Sequence, residues 1–198
     1  MSSLKQTVRH QIKQVVGQDN IDQARALYER SLLSTAYRLH PQSASSLRRL
    51  ERYLDVYKGR RCFIIGNGPS LRQTDLSLLR DEVTFGLNRI YLMFQELGFT
   101  TSFLVSMNAH VIEQFRDDIL ALPMPKFLSW QSHHLIPNDR LDVTYLFPTR
   151  EQAFSTDPVH RGIWEGATVT FAAMQLAYYM GFGEVVLVGV GFKNRAEW

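Results

Sequence analysis

Short apolar segments alternate with longer amphipathic ones from residue 60 onwards. Six of the apolar segments have strand length and are predicted as strands: residues 62–65, 83–87, 102–106, 126–130, 143–147 and 184–190. Helices are predicted near residues 91–97, 111–122 and 168–180. Strands that alternate with helices are typical of βαβ units, so the pattern predicts an α/β fold with a doubly wound, mostly parallel sheet.

The first 58 residues carry a helical pattern without strands. Three helices are predicted there, over residues 8–16, 21–39 and 43–58. The third has an apolar seam that includes Leu47, Leu50 and Leu54. Because such seams need a partner, we expect residues 1–58 to form a helical appendage that packs against an α/β domain at residues 59–198.

Charge is unevenly distributed along the chain. Residues 1–61 hold 12 Lys and Arg against 5 Asp and Glu, a net +7, whereas the rest of the chain is net −4. A basic amphipathic N-terminus leaves open a peripheral contact with an anionic membrane, although a solvated helix face is the simpler interpretation. No nucleic-acid partner is expected, because aromatic residues do not alternate with the basic ones.

The remaining composition favours a cytoplasmic protein. The one cysteine, Cys62, lies in a predicted strand, which excludes an internal disulfide and a cysteine zinc site. The first residues lack the apolar core of a signal peptide, and no segment approaches the roughly 18 apolar residues of a membrane-spanning helix. We therefore predict a protein without a transmembrane segment.

A glycine loop follows the first predicted strand. The loop residues are Gly66, Asn67, Gly68, Pro69 and Ser70. Gly66 and Gly68 can take positive φ or let a ligand approach the backbone, and Pro69 suits the first turn of a helix. A helix that starts at the end of a strand directs N–H groups at one spot, so the loop predicts a phosphate site in a Rossmann-like sheet. A tight turn without a ligand is the alternative.

Asparagines stand at the ends of three successive strands. Asn67 follows the first strand, Asn88 and Arg89 follow the second, and Asn108 follows the third. An asparagine amide donates and accepts hydrogen bonds, so it can contact phosphate, ribose or base without adding charge. Each one alone is most simply a turn former. Three at one sheet edge favour a ligand site, because ligands of open α/β sheets bind at the carboxyl ends of the strands.

The segment 161–170 holds a second set of candidate residues. Thr168 and Thr170 can cap the following helix and direct its N-terminus at the same cleft. Glu165 is the candidate catalytic acid or base. The alternative is that it only stabilises the following helix, as an acidic residue near the positive end of the helix dipole does. Arg161 and Trp164 are more simply an exposed arginine and a packed tryptophan. No nucleophilic triad and no metal-binding pattern of His or Cys is present.

The glycine loop, the segment 85–91 (FGLNRIY) and the segment 164–182 (WEGATVTFAAMQLAYYMGF) resemble the MptE-like family, named after the archaeal 6-hydroxymethyl-dihydropterin diphosphokinase. The loop is also similar to that of bacterial sialyltransferases that use CMP-sialic acid. The resemblance spans residues 58–192. It implies that the glycine loop and Asn88 face a nucleotide, with Asn108 and the segment 168–170 lining the same cleft.

One position departs from this pattern. Family members often read Gly-Val-Asp after the last strand, whereas this chain has Gly189, Val190 and Gly191. The acidic residue is missing, and so is the segment that carries the catalytic histidine of the sialyltransferases. The resemblance therefore implies either a C-terminally truncated chain or a reduced activity.

The leading prediction is a nucleotide-dependent transferase of the MptE-like type, with ATP or a CMP-sugar as the nucleotide and an unknown acceptor. A divalent ion such as Mg²⁺ would help to neutralise the phosphates, an inference from phosphate chemistry and not from a motif. A glycosyltransferase that uses a nucleotide sugar such as CMP-sialic acid is the main alternative. A catalytically weak nucleotide-binding protein is a third interpretation. An NAD oxidoreductase is disfavoured, because Asn88 stands where an acidic residue is expected.

Overall fold

The structure, a computed structural model, describes residues 34–138, 140–166 and 168–191. The chain divides into two compact units, residues 1–40 and 41–198. Within the first unit, residues 34–39 are helical, and the helix stops before Pro41 as the pattern predicts. The predicted helix at 8–16 and residues 21–33 of the second predicted helix lie outside the described residues.

Six parallel strands form one sheet in the second unit. They are β1 (Arg61–Ile65), β2 (Thr84–Leu87), β3 (Phe103–Ser106), β4 (Lys126–Ser129), β5 (Val143–Leu146) and β6 (Glu184–Val188). Their order is β5-β4-β3-β2-β1-β6, and every neighbouring pair is parallel. The strand order therefore reverses between β1 and β6, which is the topological switch point where such sheets bind ligands. The predicted Rossmann-like α/β fold is confirmed.

Helices lie on both faces of the sheet. They are α1 (Pro41–Glu51), α2 (Phe94–Leu97), α3 (Ala109–Gln114), α4 (Arg116–Ala121), α5 (Pro158–Arg161) and α6 (Val169–Tyr179). The single helix predicted over 111–122 is two helices, because Phe115 leaves the helical conformation at φ −120°. The helix predicted over 91–97 is a 3₁₀ turn at Ile90–Met93 followed by α2.

Alternate residues of the strands enter two separate cores. On one face, Ile64, Phe85 and Val105 pack with α6. On the other face, Ile65 and Leu104 pack with the elements between the strands. Because both faces are covered, the inner strands read as continuous apolar runs, which is why the sequence pattern located them well.

The helix α1 covers the edge strand β5. The Ser46 hydroxyl accepts a hydrogen bond from the Tyr145 N–H, and the Arg49 guanidinium donates to the Val143 carbonyl at 2.6 Å. These side chains satisfy backbone groups that an edge strand otherwise leaves unpaired. This helix, which the sequence pattern groups with the N-terminal appendage, therefore belongs to the sheet unit. It ends at Glu51 and not near residue 58, and Leu54 is exposed.

The connection from β5 to β6 brings α6 over the middle of the sheet. It runs from one edge strand to the opposite edge, and α6 contacts β1, β2 and β3 on the way. The small residues Ala172 and Ala173 are fully buried and let the helix approach the strands closely. The N-terminus of α6 consequently lies beside the carboxyl ends of the central strands. None of the described helices combines the length and apolar character needed to cross a bilayer.

Candidate functional site

Three adjoining cavities lie along the carboxyl ends of the strands. The switch-point cavity, of about 340 Å³, is lined by residues that include Gly66, Gly68, Asn88, Thr168, Thr170 and Gly191. The acid cavity, of about 530 Å³, shares Asn88 and Thr168 with it and adds Asn108, His110, Gln131 and Glu165. The loop cavity, of about 590 Å³, shares Asn67 and Gly68 with the switch-point cavity and adds Pro69, Leu71, Arg89 and Glu96. We refer to these three cavities, which share lining residues along one edge of the sheet, as the cleft.

The two glycines of the loop have a packing role. The Gly66 N–H donates to the Val188 carbonyl and the Gly68 N–H donates to the Gly189 carbonyl, both at 2.8 Å. A Cβ at Gly66 or Gly68 would lie about 2.6 or 2.5 Å from the Gly189 oxygen. Neither glycine has positive φ. Glycine is therefore required here because the loop touches the end of β6, and the amides of these two residues are not available to hold a phosphate.

The segment after the loop also differs from the prediction. Pro69–Gln73 is a 3₁₀ helix of five residues with no side-chain cap at its N-terminus. So short a helix has little macrodipole to offer an anion. Pro69 lines the loop cavity, whereas Ser70 is exposed and lines none of the three cavities. The predicted phosphate site on the helix that follows this loop is not supported by this geometry.

The N-terminus of α6, the longest helix at the cleft, lines the switch-point cavity. Thr168 is its N-cap, and the Thr168 hydroxyl accepts a hydrogen bond from the Phe171 N–H at 3.3 Å. The next two N–H groups, of Val169 and Thr170, belong to the first turn and have no acceptor within the helix. Both residues line the switch-point cavity. The predicted role of Thr168 as a cap is thus what the structure has, and the cap leaves two backbone donors directed at the cleft.

The three asparagines lie at the cleft, and each also has a structural role. Asn67 donates through Nδ2 to the Leu87 carbonyl at 2.9 Å. Asn88 has a left-handed backbone, φ 50°, and its Oδ1 accepts from the Ser106 hydroxyl at 3.1 Å. Asn108 caps α3, where its Oδ1 accepts from two backbone N–H groups. Turn formation and site lining therefore coincide at these positions.

These structural bonds decide which end of each amide remains for a ligand. The oxygens of Asn88 and Asn108 are occupied, so each presents its Nδ2 donors. The nitrogen of Asn67 is occupied instead, so this residue presents its oxygen as an acceptor. Within the described residues the cleft therefore offers amide donors around the switch-point and acid cavities, and an acceptor between the switch-point and loop cavities.

Glu165 provides the carboxylate of the acid cavity. Its side chain is partly buried, and burial raises the pKa of its carboxyl above the ordinary value. No basic side chain contributes to this pKa shift. A carboxyl group with a raised pKa in a cavity beside amide donors is a candidate for proton exchange with a substrate hydroxyl.

Gln175 holds the segment that carries Glu165. This glutamine of α6 is fully buried. Its Nε2 donates to the carbonyls of Trp164 and Phe171, at 2.7 and 2.9 Å. Its Oε1 accepts from the backbone N–H groups of Ser155 and Trp164, at 2.9 and 3.3 Å. A single side chain thereby fixes the backbone next to Glu165 to the helix that borders the cleft.

The other candidates of this segment lie elsewhere. The Arg161 guanidinium pairs with the Glu151 carboxylate at 3.3 Å, and both are exposed. The Trp164 ring packs edge-on against Phe171 with ring centres 5.3 Å apart. Neither lines one of the three cavities. Their simpler interpretations, an exposed arginine and a packed tryptophan, agree with the structure.

Four residues of the site were given no specific role from the sequence, although Ser106 and Arg89 belong to the strand ends where a ligand is expected. Ser106 orients Asn88, Gln175 orients the Glu165 segment, Gln131 lines the acid cavity and Arg89 lines the loop cavity. Nothing in the sequence marks Gln131 or Gln175, because their contacts come from segments distant along the chain.

A resident metal ion is not suggested by the donor set of this cleft. Among residues 34–138, 140–166 and 168–191, no group of three or more His, Cys, Asp and Glu is close enough to hold one. The amide oxygens of Asn88 and Asn108 are already hydrogen-bonded. We therefore treat any Mg²⁺ as an ion that arrives with the nucleotide phosphates.

No family model and no curated protein sequence matches this chain. Among solved structures, it is similar to the MAf glycosyltransferase from Magnetospirillum magneticum AMB-1, with 18% sequence identity and a TM-score of 0.46 over 77% of this chain. The chain spans 28% of the length of that protein. So distant a likeness carries no argument about activity, and the resemblance to the MptE-like family stays a prediction.

Proposed function

We propose that this chain is a nucleotide-dependent transferase whose cleft binds nucleotide phosphate at the N-terminus of α6. The observation that supports this most is the place of that N-terminus. The first-turn amides of Val169 and Thr170 line a cavity at the β1–β6 switch point. A helix N-terminus attracts anions through its unpaired N–H groups and its dipole.

The surrounding polar groups suit the same ligand. The Nδ2 donors of Asn88 and Asn108 can bind phosphate oxygens or sugar hydroxyls, and the Asn67 oxygen can accept from a ribose hydroxyl. This arrangement differs from the one the sequence suggests, in which backbone amides of Gly66–Ser70 hold the phosphate. In the proposal, those residues shape the cleft and α6 supplies the backbone donors.

Glu165 is the proposed catalytic residue. An acceptor hydroxyl in the acid cavity would attack the electrophilic atom of the donor while its proton passes to the Glu165 carboxylate. The bond between that atom and the departing phosphate oxygen would break at the same time. The negative charge that develops on the departing oxygen would be stabilised by the α6 amides and by Asn88. The protonated Glu165 would then return its proton to solvent.

Two donor classes fit this scheme. The sequence resemblance favours ATP, with a diphosphate passing to a hydroxymethyl group as in the pterin diphosphokinases. A nucleotide sugar fits the donor set as well, because the acid cavity offers a carboxylate that can act as a general base. A general base and a phosphate-binding helix are the parts that a sugar transfer needs from these residues.

Titration calorimetry tests phosphate binding at α6. ATP, CMP, CMP-sialic acid and NAD are titrated into the full chain with and without Mg²⁺, and into two variants of Thr170. Thr170→Asp places a negative charge in the switch-point cavity at a helix position that favours it, so the fold should be retained. Thr170→Asn is the neutral control of nearly the same shape.

We expect at least one phosphate-bearing nucleotide to bind, Thr170→Asp to weaken it about 10- to 100-fold, and Thr170→Asn to change it less than about threefold. A folded wild-type chain that binds none of the four compounds would overturn the proposal. Equal affinity of Thr170→Asp and Thr170→Asn would show that the phosphate does not sit at α6.

A further inference from the structure

Arg89 lines the loop cavity and has a guanidinium donor without a hydrogen-bond partner. Its guanidinium carbon lies 3.6 Å from the centre of the Phe115 ring. Its Nε is buried and has no hydrogen-bond acceptor. Among the described residues, no carboxylate forms an ion pair with Arg89. Its guanidinium is hydrogen-bonded to the Tyr91 side chain, but burial raises the pKa of that phenol, so Tyr91 carries no charge that would balance Arg89.

Stacking on Phe115 leaves the hydrogen-bonding edge of the guanidinium intact. The ring contacts the flat face of the group, whereas the N–H donors lie in its plane. The ring also fixes the orientation of the side chain, so little rotamer entropy is lost when an anion binds. A planar fork held in this way is suited to the paired oxygens of a phosphate or a carboxylate.

The loop cavity provides a suitable environment for such an anion. Apart from Arg89, Glu96 and the Asn67–Gly68 backbone and side chains, its wall is apolar: Pro69, Leu71, Leu92 and Met93. Apolar walls strengthen a charge interaction because they keep water away from one side. Glu96 also lines this cavity but forms no ion pair with Arg89. A bound anion must therefore contact the Arg89 guanidinium while staying away from the Glu96 carboxylate.

The position of Arg89 relates it to the phosphate site of α6. Asn67 and Gly68 line both the loop cavity and the switch-point cavity. A ligand that passes these two residues would therefore have one anion-binding group on each side, the α6 amides and Arg89. We propose that Arg89 binds a second anionic group of the nucleotide ligand. This inference rests on the proposed function and specifies its substrate class.

The second group is either a further phosphoryl group, as in a nucleoside diphosphate, or the carboxylate of a nucleotide-linked sugar acid. Both present paired oxygens to the guanidinium. A simple nucleoside monophosphate has neither and would leave Arg89 unused. The two sources are distinguished by comparing ligands that share one base.

The test measures affinities of the 198-residue chain for CMP, CDP and CMP-sialic acid, with AMP and ADP as a second matched pair. Arg89→Met keeps the stem against Phe115 and removes the charge, and Arg89→Lys keeps the charge and removes the fork. Arg150→Met is the matched control, because Arg150 is exposed and lines none of the three cavities. Melting temperatures establish that each variant is folded.

We expect the wild type to bind CDP or CMP-sialic acid more tightly than CMP. Arg89→Met should lower the affinity for the preferred ligand about 10- to 100-fold and the affinity for CMP less than about threefold. Arg89→Lys should lie between, which keeps the test valid if Arg89→Met does not fold. Preference for CDP identifies a diphosphate, and preference for CMP-sialic acid identifies a carboxylate.

The outcomes separate the two proposals. If the folded wild type binds CMP, CDP and CMP-sialic acid equally, or if Arg89→Met weakens CMP and the preferred ligand by the same factor, the inference about Arg89 is wrong while nucleotide binding stands. If the wild type binds none of the five ligands, the proposed function fails, and the inference fails with it.

Discussion

Replacing Gln175 with leucine should destabilise the sheet unit and disturb the site at once. The two side chains have similar volumes, so the change removes hydrogen bonds without leaving a large cavity. The Phe171 carbonyl keeps its normal partner in the α6 ladder. The N–H of Ser155 and both backbone groups of Trp164 lose theirs.

The cost follows from the burial of these three groups. Ser155 is buried, so its N–H bears the full penalty of an unsatisfied donor, about 1–3 kcal/mol. Trp164 is partly buried, so its N–H and carbonyl can regain some contact with water. We expect a loss of about 3–5 kcal/mol in the free energy of unfolding. For a unit of this size that corresponds to a fall of roughly 6–20 °C in melting temperature.

Urea denaturation followed by tryptophan fluorescence measures this loss. Gln152→Leu is the matched control, because Gln152 is exposed and lies a few residues before Ser155, whose N–H donates to Gln175. That variant should change stability by less than about 0.5 kcal/mol. Turnover by Gln175→Leu should also fall at temperatures where it is folded, because the backbone beside Glu165 is no longer held. A Gln175→Leu protein within 1 kcal/mol of wild type would refute this account of the segment.

Three further predictions follow from single residues. Glu165→Gln should lower turnover about 10²- to 10⁴-fold. The raised pKa of Glu165 means that the folded state binds more protons than the unfolded state, so wild-type stability should fall as the pH rises from the ordinary glutamate pKa through the raised one. Thermal melts across this pH range should show the fall in the wild type and not in Glu165→Gln. Gly191→Asp should fold normally, since nothing described lies within 4 Å of an added Cβ. If the family resemblance carries over, this variant should raise turnover about 10²- to 10⁴-fold in a diphosphokinase or sugar-transfer assay, whereas Gly191→Asn should not. Robust turnover by the unmodified chain would contradict the reduced activity that the resemblance implies for a chain with glycine at this position. Cys62 should resist alkylation by iodoacetamide until the protein unfolds, because burial raises its pKa to about 12; labelling at the rate of a free thiol in the native state would be inconsistent with its position in β1.

The positions of the six strands could be predicted because each is an apolar segment of strand length. In a parallel sheet covered on both faces, burial requires nearly every residue of an inner strand to be apolar, and that requirement is visible locally. Once the strands were located, their carboxyl ends could be predicted too, and so could the place of Asn67, Asn88 and Asn108 at that edge of the sheet. The cap at Thr168 was also a local signal, since a threonine before an apolar helix can satisfy that helix's own N–H groups.

The roles of the loop residues could not be read in the same way. Gly66 and Gly68 form a pattern that favours phosphate binding, yet their amides pair with the end of β6, more than 100 residues away in the chain. Only the crossover that places β6 beside β1 creates that contact. The same crossover carries α6 over the central strands and thereby decides which helix N-terminus meets the cleft.

The chain's local pattern thus determined the strands, the caps and the edge of the sheet where a ligand would bind. The tertiary structure decided which atoms remain for that ligand. Whether an amide presents its nitrogen or its oxygen depends on a partner from another strand, as Ser106 shows for Asn88. Whether an arginine is neutralised depends on which carboxylates fold near it, and Arg89 has an aromatic ring there instead. Such pairings join residues far apart in sequence, so no local pattern encodes them.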